Sequence, residues 1–318
     1  MIRIGTVAAA GAAAAVAALL TALPAQAEGT AAASFVSSLD GSDVVSAPGD
    51  RDGRALAFLR LRGDRLSFAL SFRGVGAPTA ATLQEAGKGA EGPVRIPLFK
   101  GKPRAGKATV SGTVTVADPR VRDALRSRPN GFSFNLHTAQ FPRGAVRGQL
   151  HALSGSPDAD RALRHSVRAS VIRGAQVYAC TRQTDGHYAY TQRNVRALLE
   201  GGIAHSFVAP GPKGPPVWVA PDRSAVTGTV RSRTPNGAGN IPELALDARQ
   251  AGRPGGLLGG TVEVFRLNTA GGVAPAGACD PAVRPEVAVP YKADYVFVGT
   301  GRTADGQQSA NGRQSANG

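Results

Sequence analysis

Cysteine is nearly absent from this 318-residue chain: there are only two, Cys180 and Cys279, both in the second half. Two thiols cannot build a four-cysteine metal centre or a disulfide-dense miniature scaffold. Tryptophan and methionine occur once each, and aromatics make up 5% of the residues. The densest cationic run, "LFKGKPRAGK" (98–107), has no aromatic interleaved for base stacking, which argues against nucleic acid as a partner. Acidic residues are few, 22 against 37 Lys+Arg, for a net charge of +15. An excess of that size favours anionic partners, among them acidic cell-wall polymers or an acidic surface protein. Long apolar runs are missing after residue 27, so no transmembrane segment is expected there. Catalytic signatures are missing too. Ser224 lies in no G-x-S-x-G elbow, and "TAGGVAPAG" lacks the Gly-Lys-Ser/Thr ending of a phosphate loop.

The first 27 residues read as an export signal. Arg3 gives a basic start, "GTVAAAGAAAAVAALLTAL" is uncharged and apolar, and "PAQA" places Ala25 and Ala27 in the A-x-A cleavage pattern. Cleavage is expected between Ala27 and Glu28, leaving a secreted or cell-envelope protein. There is no twin arginine, and no Cys follows the cut to carry a lipid anchor. In an oxidising compartment an even pair of cysteines implies a disulfide, so Cys180–Cys279 is the expected bridge.

The remaining chain has the length of two domains. "ALAFLRLRGDRLSFALSFRGV" (55–75) alternates apolar and polar residues around Gly63-Asp64, the strand period. "GPVRIPLF" (92–99), "ATVSGTVTV" (108–116), "FSFNLHT" (132–138) and "GAVRGQLHAL" (144–153) continue it. One helix is predicted at 118–129, capped by Asp118, started by Pro119 and closed by Pro129. Short strands with Gly/Pro punctuation predict an antiparallel β-sandwich over 28–153. "SGSPDAD" opens an expected linker at 154–169, and strand-like segments resume over 170–299. "NVRALLEGG" (194–202) is read as a turn of helix. The end, 300–318, has nothing apolar to bury and reads as a disordered tail.

Residues 34–152 resemble a chordin-type (CHRD) domain. The likeness rests on "SFVSSLDGSDVV", "GPVRIPLF" and above all "FNLHTAQFPRGAVRGQL". It implies an immunoglobulin-like Greek-key sandwich, distantly similar in fold to copper-zinc superoxide dismutase, which carries no activity by itself. Where relatives have an H-x-H segment, this chain has Thr82 and Gln84, leaving His137 without companion imidazoles. No metal site and no cofactor are therefore expected, and His137 and His151 are read as the edges of a hairpin. Residues 170–298 are similar to an exported bacterial and fungal family of unknown function, through "GAQVYAC", "GPPVWVAPDRSAVTG", "IPELALDA", "RLNTAGGVAPAGACD" and "VPYKADYVF".

His205, Asp222 and Ser224 are the residue types of a nucleophile, base and orienting acid. "APDRSAV" reads instead as a β-turn, with Asp222 and Ser224 bonding to local backbone. Trp218, the only tryptophan, is a core or rim aromatic, or a stacking platform for a sugar. The chain is thus expected to be a secreted, non-enzymatic binding protein acting at or near the cell surface. A secreted hydrolase, or a metal-dependent redox enzyme of the dismutase kind, is the alternative.

Overall fold

The computed structural model describes residues 31–45, 47–101, 108–211 and 214–299. The leader with its Ala27–Glu28 cleavage point and the tail at 300–318 lie outside the described residues. The described residues from Ala31 to Gly299 fall in one compact unit, mainly β, with two β-rich domains.

The first domain is a single antiparallel sheet. Its strands are β1 (Ala33–Asp40), β2 (Arg54–Arg62), β3 (Arg65–Arg73), β4 (Pro78–Glu85), β5 (Val94–Lys100) and β6 (Thr109–Thr115). After helix α1 (Pro119–Ser127) follow β7 (Phe132–Thr138), β8 (Val146–Gln149) and the short β9 (His151–Ala152). The spatial order is β5-β4-β7-β8-β1-β2-β3-β6, with β9 also on β1. The crossings from β3 to β4 and from β5 to β6 span the sheet instead of joining neighbours, as Greek-key connections do. The sheet rolls around its own core, a barrel-like form of the expected sandwich. Alternate residues fill that core: Leu59 and Leu61 from β2, Leu66, Phe68 and Leu70 from β3, Phe132, Phe134 and Leu136 from β7. Helix α1 sits where Asp118 and Pro119 predict, and the Asp118 carboxylate accepts the Arg120 amide at 2.9 Å.

Strands β1–β3 are apolar on their second face as well. Val36, Leu56, Phe58 and Ala69 point away from the rolled core and are buried all the same. They are covered by helix α2 (Ala159–His165), capped by Asp158, which forms within the segment read as a linker. Phe265, Leu267, Val296 and Val298 of the second domain complete the seam.

The second domain is a closed antiparallel barrel of eight strands in sequence order. They are β10 (Val167–Arg182), β11 (Tyr188–Leu199), β12 (Ala204–Phe207) and β13 (Pro216–Val219). Then come β14 (Ala225–Thr234), β15 (Glu243–Gln250), β16 (Thr261–Gly271) and β17 (Glu286–Gly299), which pairs back onto β10. Residues 194–199 are strand, not helix, and only Glu200–Gly202 make a single tight helical turn. Val195, Leu198 and Leu199 have helical spacing, but pairing with β10 and β12 satisfies their backbone and turns Val195 and Leu199 into the barrel core. The bridge Cys180–Cys279 is formed between residues 99 positions apart in the sequence. It ties the β16–β17 connection to the rim of β10, where Cys279 N–H also donates to Tyr188 O at 3.1 Å.

Candidate functional site in the barrel lumen

An eight-stranded barrel has just enough width to be filled by side chains or to hold one small ligand. In this one the inward positions leave a cavity of about 750 Å³. One wall is aromatic. His205 and Trp218 face each other in register across β12 and β13, and their rings stack at 4.5 Å with 8° between planes. Tyr295 meets them edge-on, at 5.1 Å from His205 and 5.5 Å from Trp218. Gly228 on β14 lies on the same inward face; a Cβ there would come within 3.1 Å of the Trp218 ring, so glycine leaves the indole its room.

The polar lining consists mostly of donors. Trp218 is 1% exposed and its indole N–H has no hydrogen-bond partner. Gln176 receives a bond on Oε1 from Gln192, while its own amide nitrogen has no partner. Tyr178 donates to Gly272 O. The Nδ1–H of His205 donates to Val217 O at 2.9 Å, since a carbonyl can only accept. Burial presses the His205 pKa down to about 3, against a smaller opposing effect of that hydrogen bond, so the ring is neutral at pH 7.

Arg266 is the one lumen cation that is buried, at 8% exposure. Its Nη2 and Nε donate to Pro242 O at 2.8 and 3.2 Å. No ion pair joins it to a carboxylate among the described residues, and no Asp or Glu lines the cavity. A second arginine reaches the lumen through a bulge. The β14–β15 register slips between Val230 and Ser232, which makes Arg231 the extra residue. Arg233 is thereby paired with Leu244, and Leu244 with Arg266, so both guanidinium groups belong to one inward row at the mouth.

The other singled-out residues do not gather with these. Asp222 Oδ1 accepts from the Ser224 hydroxyl at 2.6 Å and its amide at 2.9 Å. Its Oδ2 accepts Leu257 N–H at 2.7 Å, and Ser224 Oγ accepts Leu258 N–H at 2.9 Å. Both side chains are committed to holding the 256–258 loop, and no hydrogen bond joins either to His205 among the described residues. His137 donates from Nδ1 to Pro142 O at 3.1 Å, and its Nε2 lies 3.3 Å from the Thr82 hydroxyl. His151 lies in the seam between the domains, 3.6 Å from Glu243 and against the Phe265 ring. Among the described residues no three His, Cys, Asp or Glu side chains are grouped to hold a metal.

Sequence reasoning pointed to His205 and Trp218 but passed over Arg233, Arg266, Gln176 and Tyr295. A signal existed for Arg266. In "TVEVFRLNT" it falls in phase with the buried Val264, on a strand whose other face is apolar too. The signal for Arg233 did not exist, because the bulge shifts its phase.

A rolled Greek-key sheet docked on an eight-stranded barrel with an open lumen defines the kind of protein this is. Comparison with family models gives the names of its parts. Residues 35–150 match the CHRD domain, and residues 199–299 match a family described as protein of unknown function (DUF3455). The chain therefore carries a CHRD domain followed by a DUF3455 domain; the second match begins at the end of β11, so β10 and nearly all of β11, which close the barrel, precede it. No curated protein and no solved structure matches the chain. A CHRD domain and a disulfide are compatible with an extracellular protein.

Proposed function

We propose that this is an exported, non-enzymatic binding protein, acting at or near the cell surface, whose barrel takes up a small molecule. The observation that carries the reading is the lumen: about 750 Å³, walled on one side by aromatic rings, with a few buried polar groups converging on it. That is the size and composition of a ligand pocket, and closed antiparallel barrels use their interior in this way. Export rests on the leader-like residues 1–27 and on the disulfide. The hydrolase alternative loses its support, since Asp222 and Ser224 hold a loop and His205 is turned to Val217. The excess of basic residues still suits an anionic wall polymer or surface protein as an outer partner, but a lumen of this size takes a small molecule, not a chain.

Trp218 supplies the assay, being the only tryptophan. Titration with N-phenyl-1-naphthylamine, a neutral apolar fluorophore, is expected to quench Trp218 and saturate at one equivalent. Val230→Trp, which fills the lumen from β14, is expected to abolish that saturation. Absence of saturable quenching in the wild-type protein would overturn the reading.

A further inference from the structure

We infer that the lumen is selective for an anion: a small molecule with a flat apolar body and one carboxylate or chemically similar head, the head held by Arg266 and Arg233 and the body lying against Trp218 and Tyr295. The inference rests on the lumen reading above and adds the ligand's class to it.

The argument begins with charge. A guanidinium taken out of water is costly unless a counter-charge or a full set of acceptors replaces its hydration. Arg266 has one backbone carbonyl, Pro242 O, for two of its N–H groups, and the neutral hydroxyl of Tyr295, its partner in register on β17, as a further acceptor, but no counter-charge. Its neighbour Glu243, one residue from Pro242, faces the other way, toward Lys88 and the first domain. Strand alternation has put the acid outside the barrel and the cation inside. The other buried arginine, Arg147, also lacks an ion pair among the described residues, but it spreads its guanidinium over three backbone carbonyls, Asp43 O, Gly87 O and Ala90 O. Arg266 has a single backbone carbonyl and opens onto a cavity.

Two further buried groups agree in sign, while Nε2 of the neutral His205 ring is an acceptor. The indole N–H of Trp218 and the amide nitrogen of Gln176 are buried donors without acceptors. A ligand rich in acceptors would satisfy them. His205 is neutral and adds no competing cation. Arginine is suited to this task, because its planar fork takes a carboxylate with two parallel hydrogen bonds. The flat body follows from the wall, which consists of the stacked His205–Trp218 pair with Tyr295 at its edge.

A matched pair of probes tests this on the full chain: 2-naphthoate and 2-naphthamide, equal in shape and different in charge. Binding is read by Trp218 emission and by calorimetry at low and moderate salt. The naphthoate is expected to bind at least tenfold tighter. Arg266→Gln is expected to weaken 2-naphthoate far more than 2-naphthamide and so to remove that preference. Should Arg266→Gln fail to fold, Arg233→Gln and Arg233→Glu at the exposed mouth serve instead; the first should weaken the preference and the second reverse it. Equal binding of both probes to the wild-type protein would overturn the anion inference and leave the lumen reading standing. A preference untouched by every arginine variant would overturn the assignment to this pair. If neither probe binds while N-phenyl-1-naphthylamine saturates, the anion inference falls and the lumen reading stands; if none of the three binds, both fall.

Discussion

The two β domains of this chain solve the same problem, closing a sheet around an interior, with opposite contents. The CHRD sheet is rolled around leucine and phenylalanine, and its core residues Leu61, Leu66, Phe132 and Phe134 are wholly buried. The barrel keeps Gln176, His205, Arg266 and Tyr295 inside, where polar groups are costly, and leaves a cavity among them. Natural interiors are packed to the density of organic crystals, so a cavity lined with polar donors calls for a use. The comparison assigns support to the first domain and recognition to the second. It predicts different responses to the same kind of damage. Phe134→Ala in the packed sheet should cost about 3–5 kcal/mol, read as a large fall in thermal midpoint. Gln192→Ala in the lumen should cost no more than about 1 kcal/mol, the worth of a single hydrogen bond. Equal losses would mean that the lumen is a core like the other.

The next largest effect bears on why the barrel, and not the sheet, has a disulfide. A barrel with an open interior has less apolar packing to hold its rim, and Cys180–Cys279 pins the β16–β17 connection to β10 there. Replacing both with serine should destabilise the protein by roughly 2–5 kcal/mol, the range for removing a bridge that closes a long loop. Reductant should lower the thermal midpoint of the wild type and leave the double serine variant unaffected. The CHRD sheet, probed through Phe134 packing, should keep its own transition in both.

The contrast also decides how much could be read from the residues. The rolled sheet was legible, since Leu59, Leu61, Leu66, Phe68 and Leu70 alternate with polar or small neighbours and the alternation maps directly onto inside and outside. The seam was not, because Leu56 and Phe58 look like noise in that pattern until a second domain covers them. In the barrel the inward phase carries polar residues, so alternation of hydropathy blurs where the lumen begins. Gln176 is a polar residue in an inward position, Arg266 shows itself only by its phase with Val264, and the three-and-four spacing of Val195, Leu198 and Leu199 imitates a helix. Asp222 and Ser224 were legible as a turn because their bonding is local, whereas the convergence of His205, Trp218 and Tyr295 depends on closure between β17 and β10.

Acid offers a finer separation of the two interiors. His205 is neutral in the folded barrel down to about pH 3, while in the unfolded chain it takes up a proton near 6.5. Between those values the unfolded state binds more protons, so stability should fall as pH drops from about 6.5 toward 3, by on the order of a few kcal/mol. Asp43 works in the opposite sense. Burial raises its pKa to about 6, with Lys88 opposing, so between its ordinary 3.8 and about 6 the folded state holds the extra proton and stability falls as pH rises. His205→Phe should remove up to one proton from the slope between about pH 3 and 6.5, leaving the opposite contribution of Asp43 between about 3.8 and 6 in place. The measurement is the thermal midpoint at a series of pH values between 3 and 8.

The smallest effect concerns what holds the two interiors together. Arg73 on β3 and Glu200 after β11 form an ion pair at 2.6 Å across the seam, and Glu200 also accepts the Ser170 amide at 3.1 Å. Burial works to raise the Glu200 pKa, but Arg73 and the hydrogen bonds outweigh it, so the carboxylate stays ionised to lower pH than usual. Even so, the pair is largely in solvent. A double-mutant cycle of Arg73→Ala and Glu200→Ala should return a coupling of about 0.2–1 kcal/mol, shrinking with salt. The seam itself is held from inside. Phe58 and Leu56 pack on Phe265 and Val296, and beside them Asp294 takes Arg168 together with bonds from Ser38, Ser170 and Asn268. A coupling well above that range would make the surface pair a determinant of docking. A coupling within it leaves docking to the second apolar face of β1–β3, the feature that distinguishes this sheet from one built to stand alone.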